Sequence, residues 1–306
     1  MHILRIVSIV LASLLTAVPA GADGNPVIAL WQLNQKDIYS LVHHVPQPNA
    51  LRLAELSRTF QDLECKKDDL REETKRNRKN LVCTLPGTST ETILVIAHYE
   101  HEGKGMGAVD DWSGAMMLPL LYHALTATQR KHTFVFAALC GDAGAEDLLH
   151  SMTHDQRSSI KAVIALEDLG LGPLRFYIGP NTRPDNPDPP SFYNRTNTPS
   201  DNQATPPNEV ILTSRLLRAA VLNTSPEPKS STPGSWLKIE DTRDFHSQNM
   251  TTILIHSVGK STRNIPDSVK DTPDAIDSDA YYESYRLLCY YLVELDQVAL
   301  SSERTH

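Results

Sequence analysis

The sequence predicts an α/β fold: a single doubly wound, mixed but mostly parallel sheet with helices on both faces. Three observations lead there. Short apolar runs recur at 80–85, 92–97, 133–140, 160–166 and 251–256, as expected of strands buried on both faces. Segments with helical spacing alternate with them, at 115–126, 146–152, 210–222 and 281–300. Several runs end abruptly in imidazole or carboxylate, at His98, at the 142–147 segment and at Glu167. Open α/β sheets bind ligands at the carboxyl ends of their strands.

The elements follow in order. Residues 26–63 alternate helical patterns around a break at Pro46-Gln47-Pro48, and the charged stretch from Lys66 to Lys79 reads as a surface helix or loop. Asn80–Leu85 is a strand, Pro86-Gly87-Thr88-Ser89 a turn, and Thr92–Ala97 the strand that delivers His98. Ser113-Gly114 opens the next helix, with Ser113 as its cap. Pro180 to Pro207, rich in Pro, Asn, Ser, Thr and Asp, reads as a long surface loop.

With 306 residues, 40% hydrophobic and 22% charged, the chain can bury a sizeable core. A net charge of −8 and no basic run with interleaved aromatics argue against a nucleic-acid partner. Residues 1–22 read as an export signal: Arg5, an apolar Ile6–Ala17 core, and Ala20-Gly21-Ala22 as a cleavage site. An uncleaved anchor is the alternative, but the run is short for a span, and no stable membrane insertion is expected. Residues 23–306 then form one domain, secreted or periplasmic. Export permits disulfides, and Cys65 and Cys83 flank a charged stretch they could close. Cys140 and Cys289 read as core thiols, and His43, His44 and His256 as structural or surface residues. Asn194, Asn223 and Asn249 open sequences of the glycosylation type.

The chemistry centres on Ile96-Ala97-His98-Tyr99-Glu100-His101, followed by Gly107-Ala108-Val109-Asp110-Asp111-Trp112-Ser113-Gly114. Imidazole and carboxylate at a strand end are zinc-type donors, also suited to manganese or cobalt. The segments A-H-Y-E, V-D-D-W-S-G-A, L-E-D-L-G-L-G and K-D-T-P-D-A-I-D together resemble the co-catalytic zinc aminopeptidases. These are secreted exopeptidases related to glutaminyl cyclases and glutamate carboxypeptidases.

The resemblance, covering residues 80–296 or so, implies a peptide substrate and one or two zinc ions. His98 would ligate the first ion, and Asp110 would bridge both through a cis bond to Asp111. Glu167, or neighbouring Asp168, would complete the first set, and Asp241 would lie beside the substrate pocket. Two ions would polarise the scissile carbonyl and acidify a bound water, and a carboxylate would take its proton.

Three positions depart from the family pattern. Glu100 stands where a shorter Asp orients the first histidine. The Glu-Glu pair of general base and second-metal ligand maps directly onto Asp142 and Ala143, or, after a two-residue slide, onto Glu146 and Asp147. The last histidine ligand is replaced by Asp267, four residues before Asp271-Thr272. Ala143 and Asp267 both fall on the second metal, so the expectation is an intact first position and a weakened or absent second one; His101 and Glu102, in a Gly-rich loop, could substitute for the lost ligands. The expected function is metal-dependent removal of an amino-terminal residue. The alternatives are a pseudo-peptidase that binds a peptide or partner through the old cleft, and an acyl-transfer enzyme like glutaminyl cyclase.

Overall fold

The computed structural model describes residue 30 and residues 32–141, 143–178, 208–231, 240–248 and 250–300, without the side chains of residues 240, 241, 243 and 246. The proposed export signal, the 180–207 segment and Asp142 lie outside the described residues, as does the side chain of Asp241.

Eight described strands form one sheet: β1 (Leu70–Lys75), β2 (Arg78–Leu85), β3 (Thr92–His98), β4 (Thr133–Leu139), β5 (Ile160–Leu166), β6 (Arg175–Ile178), β7 (Lys229–Ser230) and β8 (Thr252–His256). Their order is β1-β2-β4-β3-β5-β8-β6-β7. The central β4, β3, β5 and β8 run parallel, while β2 on β4, β1 on β2 and β6 on β8 are antiparallel. From β3 the chain steps outward to β4, then returns to β5 on the other flank. The carboxyl ends of β3 and β5 are therefore the topological switch point.

Helices cover both faces, and the strand period of two assigns them. Ile93, Val95 and Ala97 of β3 join one core with Leu56 and Phe60 of α2 (Asn49–Asp62), Met116 and Leu120 of α3 (Gly114–Thr126), Leu212 and Leu216 of α6 (Asn208–Leu222) and Leu288 and Leu292 of α8 (Ser278–Asp296). α1 (Gln35–His43) adds Ile38 and Val42 to the same core. Leu94 and Ile96 join the opposite core with Leu148 of α4 (Gly144–Ser151) and Phe245 of α7 (Glu240–Ser247). A short α5 (His154–Ser159), closed by a Thr153–Gln156 capping box, leads into β5.

The charged stretch 66–79 is a hairpin, correcting the expected helix or loop. β1 and β2 meet through Arg76-Asn77, both at positive φ, the two-residue turn that matches strand twist. β1 is an edge strand with its charges outward, so it lacks an apolar alternation. Cys65 and Cys83 are disulfide-bonded and tie this hairpin to the end of α2. Asn223 is buried with Nδ2 on Ser225 Oγ at 2.6 Å, which hides that glycosylation-type sequence. Among the described residues no helix is long and apolar enough to cross a membrane.

Candidate metal centre at the strand ends

Every residue of β3 is buried, so its alternation carries straight into His98. Ile96 pairs with Ala165 across β3 and β5, and continuing that register by two residues sets Glu167 opposite His98. His98, Glu167 and Asp168 are each under a tenth exposed. Asp168 sits at φ 47°, with its carbonyl accepting from Ser257 N (3.2 Å) and Ser257 Oγ (2.7 Å).

Asp110 arrives on a different kind of support. Its peptide to Asp111 is cis, as the family resemblance implies. It is buried within a wide helical turn, Ala108–Ser113, that continues into α3. Both carboxylate oxygens of Asp271 accept from this turn, from Val109 N at 2.7 Å and Asp110 N at 3.2 Å. Burial pushes the Asp271 carboxyl up, and these backbone N–H groups pull it back. A Cβ on Gly114 would collide with Leu166 O, so glycine there lets α3 start directly against the end of β5.

Ser113 does not cap α3, as had been expected. The helical path runs unbroken through it, so there is no free helix start to cap. Its hydroxyl instead donates to Val109 O (2.6 Å) and accepts from Leu169 N (2.8 Å), joining the Asp110 turn to the loop after Glu167. Tyr281 Oη donates to Ser113 O at 2.7 Å, adding α8 to the same junction.

The first turn of α2 clamps the loop between His98 and Asp110. The fully buried Arg52 donates to Pro46 O (3.1 Å), Tyr99 O (3.2 Å) and Met106 O, with its guanidinium 5.8 Å from the Trp112 ring. Burial lowers its pKa, and the carboxylates of Asp111, Asp271 and Asp110 oppose that shift, leaving it a cation. Gln47 Nε2 donates to Met106 O, and Asn49 brackets His101 through its N (2.9 Å) and O (3.4 Å). Arg52 and Asn49 carry no motif in the sequence, and nothing in the sequence marks Asp271 as a holder of the Asp110 turn. Only the positions of Asp271 and of Pro46-Gln47-Pro48 stood out there, as landmarks.

The remaining predicted residues fall as follows. Glu100 accepts from the Cys140 thiol at 3.1 Å and lies over Gly141 (φ 65°), where its carboxylate occupies the space a Cβ would need. Burial raises the Cys140 pKa and keeps the thiol a donor. Glu146 is more than half exposed, one turn from His150. Asp147 is buried but held by Arg78, whose Nε and Nη2 reach Oδ2 at 2.9 and 2.6 Å, with Lys75 Nζ 3.6 Å from Oδ1. Glu146 thus faces solvent and Asp147 is taken up by two cations. Ala143 stands before α4 and offers no side-chain donor. Asp267, at φ 57°, packs against Gly103. His256 is fully buried, with Nε2 3.0 Å from Ser231 Oγ and Nδ1 accepting from Val258 N, a satisfied core histidine.

Among the described residues no three His, Cys, Asp or Glu side chains form a metal-binding group as they stand. The donor chemistry at the switch point nevertheless suits an ion: one imidazole and two carboxylates, all buried. Nearby, the His101 ring lies in a slot that a Cβ on Gly107 would fill, and its Nε2 is buried without a hydrogen-bond partner.

Known proteins bear on this arrangement. The sequence model for peptidase family M28 matches residues 80–292. The fold is similar to a zinc aminopeptidase from Bacillus subtilis (13% identity, TM-score 0.55), with 73% of this chain and 52% of that one covered. This chain thus spans about half the length of that enzyme. It is also similar to LapA aminopeptidase of Legionella pneumophila (14%, TM-score 0.64, 87% and 72% covered). An Acidobacteriales bacterium glutaminyl cyclase aligns over 92% of this chain and 99% of its own (17%, TM-score 0.65). These likenesses establish the fold. No curated protein matches in sequence.

Proposed function

This chain belongs to peptidase family M28, and from that premise we propose that it is an exported, metal-dependent exopeptidase that removes the amino-terminal residue of a peptide. The observation that carries the reading is the burial of His98, at the end of β3, and Glu167, just after β5, on neighbouring strands at the switch point, with the buried Asp110 turn tied to the Glu167 loop through Ser113.

In this reading His98, Asp110 and Glu167 hold a zinc ion. Bound there, the ion supplies a Lewis acid and an acidified water. The protein's own part is positional. Asp271 fixes the backbone that carries Asp110, Ser113 locks that turn to the Glu167 loop, and Arg52 holds the loop after His98. The proton acceptor is assigned to Asp142, three residues past the end of β4 in sequence. Glu146 is exposed and Asp147 is paired with Arg78, which favours the direct alignment over the shifted one. Asp241, in α7, is proposed to border the substrate. The Cys65–Cys83 disulfide supports an oxidising compartment and so accords with export by residues 1–22.

A second reading, a non-catalytic relative that binds a peptide through the same cleft, draws on Ala143 and the engaged Asp147. The test is hydrolysis by the zinc-loaded chain of a panel of aminoacyl amides, with an amino-terminal glutaminyl peptide included. Chelator-sensitive release of the amino-terminal residue supports the exopeptidase. Cyclisation of the glutaminyl peptide alone would move the protein to acyl transfer, and no turnover would favour the binding relative.

A further inference from the structure

Resting on that reading, we infer that His101 supplies the imidazole for a second metal position that Asp267 no longer provides, so that the ligand has moved from one loop to its neighbour.

Three observations meet at this side chain. First, the ring has a built seat. Glycine at 107, with φ 59°, is what makes room, since a Cβ there would overlap the ring and come 2.5 Å from its Nδ1. A Cβ on Gly103 would stand 3.0 Å from its Cε1. Second, Nε2 is buried and has no hydrogen-bond partner. A buried polar nitrogen left unsatisfied is unfavourable, and imidazole nitrogen is a leading zinc donor. Third, the same Gly103 borders Oδ1 of Asp267, at 2.6 Å from the position of a Cβ. The imidazole and the carboxylate that replaced the family's histidine thus share one glycine.

Hydrogen bonds brace both loops that border the seat. Asn49 brackets the His101 backbone through its N and O. The segment carrying Asp267 ends in Asp271, whose carboxylate holds Val109 N and Asp110 N and whose carbonyl accepts from Met106 N at 2.6 Å. The segments that carry Asp267 and the bridging candidate Asp110 are therefore joined through Asp271, and His101 borders the first of them at Gly103.

The test is zinc titration by calorimetry of the full chain and of its His101→Asn and Asp110→Ala variants, with cobalt absorption as a second readout. Asn keeps a polar side chain but has no atom at the Nε2 position, and far-ultraviolet circular dichroism confirms the fold of each variant. Loss of a ligand should weaken binding more than the roughly 10–100-fold cost of removing an outer-shell partner. The expected result is one equivalent weakened about 100-fold or more in His101→Asn, with the intensity or position of its cobalt bands changed. Should His101→Asn misfold, His101→Ser, which also has no atom at the Nε2 position, is titrated in its place. Zinc bound equally by the wild-type chain and the His101 variant overturns this inference alone. No zinc on the wild-type chain, or undiminished zinc on Asp110→Ala, overturns the underlying metal-site reading as well.

Discussion

Asp271 grips the backbone of Asp110 with both carboxylate oxygens, one on Val109 N and the other on Asp110 N. A residue 161 positions away in sequence thereby holds the backbone that carries Asp110. In Asp271→Asn one oxygen becomes an NH2 group that faces a backbone donor. The expected cost is about 1–3 kcal/mol of stability, with weaker zinc binding, read from urea midpoints and a zinc titration. An unchanged midpoint would remove Asp271 from this role.

Arg52→Met leaves Pro46 O, Tyr99 O and Met106 O without their donor and strips a buried cation from beside Asp111, Asp271 and Asp110. Urea unfolding should show a loss of about 3 kcal/mol or more, with Arg52→Lys recovering part of it through its charge. Equal losses in both variants would mean that charge contributes nothing at this position.

The strand end at His98 was legible because β3 is buried on both faces and so is apolar throughout, up to the residue that breaks the run. The Cys65–Cys83 closure was legible from the charged stretch between them. Other relationships were not, for reasons of distance. Asp147 looks like a free ligand until Arg78, on a strand 69 residues earlier, is placed against it. Ser113 looks like a cap until the loop at Leu169 folds onto its hydroxyl. The β1–β2 hairpin was hidden because an edge strand with outward charges has no apolar period to read.

His256 gives a pH dependence with a defined sign. Burial, with the charge of Arg175 beside it, lowers its pKa from 6.5 to about 4. Between those values the unfolded chain holds more protons, so stability rises with pH, is complete above 6.5 and falls away as pH drops toward 4. From about pH 7.5 to about pH 5 the loss assigned to this residue is about 2 kcal/mol. His256→Asn, compared with wild type by urea unfolding at both pH values, should show a shallower slope. An identical slope would assign the titration to another group.

The Cys65–Cys83 bond spans 18 positions of sequence, and replacing both cysteines by serine should cost about 3 kcal/mol in urea unfolding without reductant. Zinc binding should be nearly unchanged, because the bond ties α2 to β2 rather than to the strand ends. A collapse of zinc binding at intact fold would show that the hairpin bears on the site.

The most direct measurement is zinc per chain, by elemental analysis of wild-type and Asp110→Ala protein after incubation and desalting. The metal-centre account predicts at least one ion on the wild-type chain and none retained by Asp110→Ala. A wild-type chain without zinc, or an Asp110→Ala chain that keeps the full complement, would contradict it.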